Sequence, residues 1–157
     1  MVVGAGPTGI LLAAELARRN VPVRLVEKRD RPAEHSRALG VVPRTMEMFE
    51  TLGLIDELLT HGHRVHGIRI YGKERQRLAE LDLRSLPTRY PFMLLLPQTR
   101  TEAILRHCLE ELEVKIEWGT ELRAFQSEKS GICAELIQGG RPQEAFCGYL
   151  AGCDGAH

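Results

Sequence analysis

Residues 1–28 read MVVGAGPTGILLAAELARRNVPVRLVEK. Three apolar residues, Met1 to Val3, run straight into a glycine-rich loop. The spacing then predicts a helix from about Thr8 to Arg19. Ile10, Ala13, Ala14 and Ala17 form its small-residue face, and Glu15, Arg18 and Arg19 point outward. Asn20 follows, a residue type that accepts the left-handed conformation often found where a helix ends. Residues 23–26 predict a second strand ending at Glu27. Strand, loop, helix and strand within 27 residues make a βαβ unit with a parallel pair.

The loop Gly4-Ala5-Gly6-Pro7-Thr8-Gly9 follows the pattern G-x-G-x-x-G. Gly4 permits the tight turn out of the strand, Gly6 lets a diphosphate approach the backbone, and Gly9 lets helix and sheet pack closely. The helix start offers unpaired N–H groups and the positive end of its dipole to an anion. Pro7 costs little there, since its missing N–H falls in the first turn. Glycine-rich turns also arise by chance, and it is the strand before and the helix after that give this one meaning. Glu27 lies 18 residues beyond Gly9. A carboxylate at that strand end can accept hydrogen bonds from both ribose hydroxyls and would repel a 2′-phosphate. The unit therefore suits an adenosine diphosphate cofactor with a free ribose, FAD or NAD, and disfavours NADP at this position.

Beyond the unit, residues 28–40 are polar and irregular, with Lys28, Arg29, Arg31, His35 and Arg37. Pro43 suits the first turn of a helix carrying Met46, Phe49 and Leu52, which Gly53 ends. A short helix over 54–60, stopped near Gly62, and modest strands over 65–71 and 78–83 are expected. Residues 92–96, Phe-Met-Leu-Leu-Leu, predict a buried strand. Ile104, Leu105, Cys108, Leu109 and Leu112 recur at helical spacing, with Glu102, Arg106, Glu110 and Glu111 expected to face water. Segments 114–118, 121–125, 132–137 and 145–150 alternate like the strands of an antiparallel meander broken by Gly119, Gly131 and Gly139-Gly140.

A chain of 157 residues, 43% hydrophobic and 27% charged, is expected to form one soluble, globular domain. Its 21 basic and 21 acidic residues cancel, so there is no electrostatic footprint for nucleic acid or anionic lipid. No apolar window is long enough to span a membrane, and no secretion signal is present. Cys108, Cys133, Cys147 and Cys153 form no C-x-x-C pair, and reduced thiols in a cytoplasmic protein are expected. His61, His63 and His66 lack nearby Cys or carboxylate support for a metal, so no metal site is assigned. Residues 1–3 read as the tail of a strand and residues 151–157 as a turn without a closing element, as in a portion of a longer chain.

Four stretches carry a family resemblance: GAGPTGILLAAELARRNVPVRLVEK from Gly4, HSRALGVVPRTMEMFETLGL from His35, LPQTRTEAIL from Leu96 and YLAGCDGAH from Tyr149. Together they span essentially the whole chain, which resembles the class A flavoprotein monooxygenases, the aromatic hydroxylases that act on p-hydroxybenzoate, phenols and polyketides. The first stretch is shared by many nucleotide-binding proteins. The other three, in this order, favour FAD over NAD.

The resemblance implies an α/β, Rossmann-like FAD-binding fold with a parallel sheet, helices and an antiparallel β-meander, truncated. Residues 1–157 would be a partial FAD-binding domain, its substrate domain interleaved or C-terminal and largely missing. Arg37 matches the family arginine that reaches the diphosphate near the path of the reducing nucleotide. Gln98 matches the glutamine heading the third helix, near the ribityl–diphosphate portion. A guanidinium and an amide there would supply charge pairing and orientation. Asp154-Gly155 matches an Asp-Gly motif serving FAD and NAD(P)H. Lys28 falls near the adenosine, and Leu122 matches a strand residue beside the adenine. The implied chemistry belongs to the flavin: NAD(P)H reduces FAD, O2 adds to give a C4a-hydroperoxide, and oxygen passes to a small aromatic substrate. Only cofactor-holding roles are assigned, with no catalytic acid or base. A related halogenase or isoprenoid reductase, an NAD-dependent dehydrogenase, and an FAD-binding fragment without activity of its own are the other readings.

Overall fold

A computed structural model describes residues 1–34 and 40–155. In chain order the elements begin with β1 (Val2–Val3), α1 (Pro7–Ala17), β2 (Leu25–Glu27), β3 (Gly40–Val41), α2 (Pro43–Thr51) and α3 (Ile55–His61). They continue with β4 (His63–Val65), β5 (Gly67–Tyr71), β6 (Arg77–Asp82), β7 (Met93–Leu95) and α4 (Gln98–Glu111). The last are β8 (Ile116–Trp118), β9 (Thr120–Glu128), β10 (Gly131–Gln138), β11 (Arg141–Cys147) and β12 (Ala151–Gly152). Contacts divide the chain into two compact units, residues 1–34 with 105–157, and residues 35–104.

The first unit is built on a parallel sheet of order β12-β1-β2-β8. Read from β8 and numbered by their sequence within this sheet, the strands lie 3-2-1-4, a mononucleotide-binding half of order 3-2-1 with the next strand beside β1. Val2, Leu25 and Val26 are almost fully buried, as are Ile10, Ala13 and Ala14 of α1. Alanine at two of those helix positions lets the α1 backbone come close to the sheet. Pro7 occupies the first helical position, and the chain turns after Ala17. Asn20 adopts φ +58° while the Val21 N–H bonds to the Leu16 carbonyl at 3.0 Å, the left-handed helix stop expected of Asn. The second strand is shorter than its apolar run and starts at Leu25 rather than Val23.

Two expectations are corrected in this sheet. Residues 114–118 were expected in the meander, yet β8 pairs parallel with β2, Leu25 opposite Ile116 and Glu27 opposite Trp118. Alternation identifies a strand without naming its neighbour. Residues 151–152 were expected in a turn, yet they form β12 beside β1, with the Cys153 N–H bonded to the Val3 carbonyl at 2.7 Å. A two-residue strand has no period to read. The meander itself is β9-β10-β11, with Ala134 and Leu136 of the central strand fully buried. Gly139 and Gly140, both at positive φ, make the two-residue turn that pairs Gln138 with Arg141. Opposite Glu135 and Leu136 the β9 register skips Arg123, a bulge just after Leu122.

The second unit contains the antiparallel sheet β3-β7-β4 and the hairpin β5-β6. Its core holds Met46 and Phe49 of α2, Leu58 of α3 and Leu94 of β7. The expected buried strand over 92–96 is buried on one face: Phe92, Leu94 and Leu96 are inside, while Leu95 is 38% exposed. That is the pattern of an antiparallel strand with one solvated side, not of a strand covered on both. The strand expected over 65–71 breaks at His66 into β4 and β5, which join different sheets. Gly62 ends α3 where a Cβ would come within 2.5 Å of Leu94 Cγ. Among the described residues no helix is long and apolar enough to cross a membrane.

Leu25 is fully buried in the parallel sheet. Leu25→Ala is expected to cost about 2–5 kcal/mol through lost burial and a residual cavity, read from the urea midpoint.

Candidate functional site

All four strands of the parallel sheet deliver their carboxyl ends to one place. β1 leads into Gly4, β2 ends at Glu27, β8 leads into Gly119 and Thr120, and β12 leads into Cys153 and Asp154. The crevice outside these ends, where the strand order reverses at β1, is where open α/β sheets bind ligands.

The three glycines of the loop divide the work. Gly4 has φ +103°, and a Cβ on it would sit 2.5 Å from the Cys153 carbonyl oxygen and 2.7 Å from the Asp154 nitrogen. A Cβ on Gly9 would lie 1.8 Å from the Gly4 carbonyl oxygen. Both glycines are thus demanded by the protein's own packing. Gly6 is different: it caps α1 with an ordinary φ of −79°, and a Cβ there would meet nothing within 4 Å. Its openness faces outward at the helix start, where Thr8 and Gly9 N–H groups precede the first helical bond, Ile10 N–H to the Gly6 carbonyl. A diphosphate needs such a position, with open space beside a positive helix end.

Glu27 is 6% exposed. Its Oε2 accepts the Ala5 N–H at 2.8 Å, tying the end of β2 to the glycine loop. Its Oε1 accepts the Arg29 N–H and Nε, both at 3.0 Å, and Arg29 Nη2 reaches Oε2 at 3.3 Å. Burial alone would push this carboxyl up, but the hydrogen bonds from Arg29 and Ala5 and the guanidinium charge outweigh it and hold it below its ordinary value. The Gly119 N–H in turn bonds the Arg29 carbonyl at 2.9 Å, so the exits of β2 and β8 are stitched together.

A cavity of about 100 Å³ opens at these strand ends. It brings together five residues singled out from the sequence, Gly4, Glu27, Lys28, Leu122 and Asp154, with Val3, Thr120 and Glu121 beside them. Two larger grooves, of about 620 and 560 Å³, lie elsewhere in the same unit. The larger flanks Arg24 and Lys115 at the amino ends of β2 and β8. Size is not the criterion here, because the convergent strand ends are at the smaller one.

Ala5 is buried, Pro7 half-buried and Thr8 exposed along the loop, while Gly155 is exposed at φ +96°. Gln98 belongs to the second unit, where it is the first residue of α4 and its Nε2 donates to Glu102 Oε1 at 2.8 Å. Glu102, expected to face water, is 2% exposed. Its helical phase lies at the edge of the apolar stripe, and the amide four residues earlier supplies a partner. Arg37 lies outside the described residues. Sequence reasoning missed Arg29 as the partner of Glu27, and Thr120 in the cavity wall. The only signal for Arg29 was a basic residue two positions after the carboxylate. Cys108 is buried in α4, as expected of a core residue, and burial pushes its thiol pKa up, with Glu111 and Glu15 adding to the shift.

A parallel sheet of this order, a glycine loop leading into a helix, and a buried carboxylate at the second strand's end define a nucleotide-binding Rossmann-type domain. The chain belongs to the FAD binding domain family, whose model matches residues 1–157. It is 43% identical to 6-methylpretetramide 4-monooxygenase of Streptomyces rimosus, over 99% of this chain and 28% of that protein. It is 35% identical to pentachlorophenol 4-monooxygenase of Sphingobium chlorophenolicum, over 99% of this chain and 29% of that protein. The crystal structure of p-nitrophenol 4-monooxygenase from Pseudomonas putida superposes with a TM-score of 0.87 at 25% identity, covering 99% of this chain and 40% of that one. The chain thus spans less than a third of the length of these curated relatives.

Gly9→Ala is expected to lower stability by more than about 3 kcal/mol or to abolish cooperative unfolding, because backbone rather than a movable side chain blocks the new methyl. For Glu27 the sign is set by its lowered pKa. Its pairing stabilises the fold fully above the ordinary value of 4.5 and is lost as pH falls through the lowered value. Urea denaturation between pH 7 and 3 should therefore show an acid loss of stability that is smaller in Glu27→Gln.

Proposed function

We propose that this chain holds the FAD of a flavin-dependent monooxygenase that hydroxylates a small aromatic substrate, phenolic or of polyketide type, with NAD(P)H and O2. The observation that carries the reading is the convergence of four strand ends on a glycine loop and a buried glutamate. The relatives' names supply the reaction class, since the two curated relatives above are named as monooxygenases of a polyketide-type and a phenolic compound.

The residues fit the cofactor. Gly6 leaves room for the diphosphate, and the Thr8 and Gly9 N–H groups at the start of α1 orient it. Glu27 accepts from the adenosine ribose, with its position fixed by the Ala5 N–H. Lys28 and Leu122 border the adenosine, and Asp154-Gly155 follows β12 towards the same cavity. The family resemblance assigns Arg37 and Gln98 to the diphosphate and ribityl side, and Arg37 to the NAD(P)H path as well. When bound, FAD supplies the redox chemistry, taking a hydride from NAD(P)H and activating O2. What the chain contributes is binding, orientation and a fixed electrostatic frame. The division into two units supports an organisation in which substrate-covering segments are interleaved with the cofactor-binding ones. The balanced charge supports a small-molecule enzyme without a nucleic-acid partner, and the four free cysteines support the cytoplasm as its compartment.

Gly6→Ala isolates the cofactor from the fold. Its thermal midpoint without FAD should match the parent within about 1 °C, since an Ala fits that φ and touches nothing. Its FAD affinity, followed by quenching of flavin fluorescence, should fall at least tenfold, a loss of about 1.4 kcal/mol. Undiminished affinity would remove the diphosphate from this loop.

A further inference from the structure

The Glu27 carboxylate has few ways to receive a ribose. An ionised carboxylate offers about four lone-pair positions. The chain itself fills that number: Ala5 N–H and Arg29 Nη2 on Oε2 at 2.8 and 3.3 Å, Arg29 N–H and Nε on Oε1 at 3.0 Å each. The two backbone donors are pinned. Ala5 is part of the glycine loop, and the Arg29 carbonyl is held by the Gly119 N–H at 2.9 Å. The two guanidinium donors are on a side chain that is 37% exposed, and one of them makes the longest of the four bonds. Lys28, the other cation beside Glu27, is exposed in the cavity wall, and it is Arg29 that pairs the buried charge.

A vicinal diol presents two O–H donors to a carboxylate much as a guanidinium edge presents two N–H donors. We propose that Arg29 is a place-holder for the ribose diol: its guanidinium pairs Glu27 while the site is empty of nucleotide and turns to solvent when two ribose hydroxyls take over its hydrogen bonds. The backbone bonds from Ala5 and Arg29 stay in place, so the carboxylate does not move. This rests on the reading of Glu27 as the ribose acceptor. Arg29 is then a residue that keeps the empty site folded and opposes cofactor binding, although it carries the charge an anionic cofactor would be expected to favour.

The test is FAD titration of the purified chain by flavin fluorescence, with thermal unfolding of the flavin-free forms. Arg29→Ala should tighten FAD binding about threefold to tenfold, the worth of a half-exposed ion pair that no longer has to be broken. Its flavin-free thermal midpoint should fall below the parent's, so the rise produced by saturating FAD should be larger than in the parent. Arg29→Gln, which keeps an amide donor without the charge, should shift both readings the same way and covers the case in which the alanine variant does not fold. Arg31→Ala removes an equal charge from an exposed pair with Glu34 and should leave FAD affinity unchanged. Weaker or unchanged binding in both Arg29 variants, with Glu27→Gln clearly weakened, overturns the place-holder and leaves the ribose reading standing. Unchanged binding in Glu27→Gln overturns the ribose reading and the place-holder with it.

Discussion

The close approach of three backbone segments at Gly4 is the constraint from which the site follows. Gly9, at the start of α1, lies so near the Gly4 carbonyl that no side chain fits, and Gly4 lies as near to the chain leaving β12. With those two positions bare, the helix start, the exit of β1 and the exit of β12 meet within contact distance. The start of α1 then lies beside the exits of β1 and β12, where the sheet's strand order reverses. A side chain at either glycine would push the helix away from the sheet and spoil the packing. Of the three loop glycines, Gly6 alone has open space where a Cβ would be.

The second organising element is a buried charge. Removing a carboxylate from water is costly unless donors surround it. Glu27 meets that condition by accepting from the loop on one side and from Arg29 on the other. The same bonds that make its burial tolerable fix the spacing between β2 and the glycine loop. On the proposed reading, the group that would accept the ribose is also a strut between β2 and the glycine loop. Through the Gly119 N–H on the Arg29 carbonyl, the strut extends to β8 and the first residues of β9, which wall the cavity.

The second unit has a different character. Its core is compact around Met46, Phe49, Leu58 and Leu94, but the β5-β6 hairpin leaves Ile70, Tyr71, Leu78 and Leu81 more than half exposed. Within it Gln98 and Glu102 share a hydrogen bond one helical turn apart, at the head of α4. A buried carboxylate with an amide partner is a second polar strut, on a helix whose sequence pattern reads as simply amphipathic.

The sequence by itself determined the βαβ unit, its glycine loop, the helix stop at Asn20 and the β9-β11 meander. These are local: each depends on residues within a few positions, or on a pattern with a period, and side-chain chemistry at known spacing is enough to read them. It also singled out Glu27, by its place at the end of the second strand. Only the tertiary structure decided which strands are neighbours. Ile116–Trp118 and Ala151–Gly152 entered the parallel sheet by pairing with strands about 90 and 150 residues away, and no local pattern encodes a partner at that distance. It also decided that Arg29 lies on Glu27 and that Glu102 is inside, since a long polar side chain takes its place from whatever charge or amide the fold sets beside it.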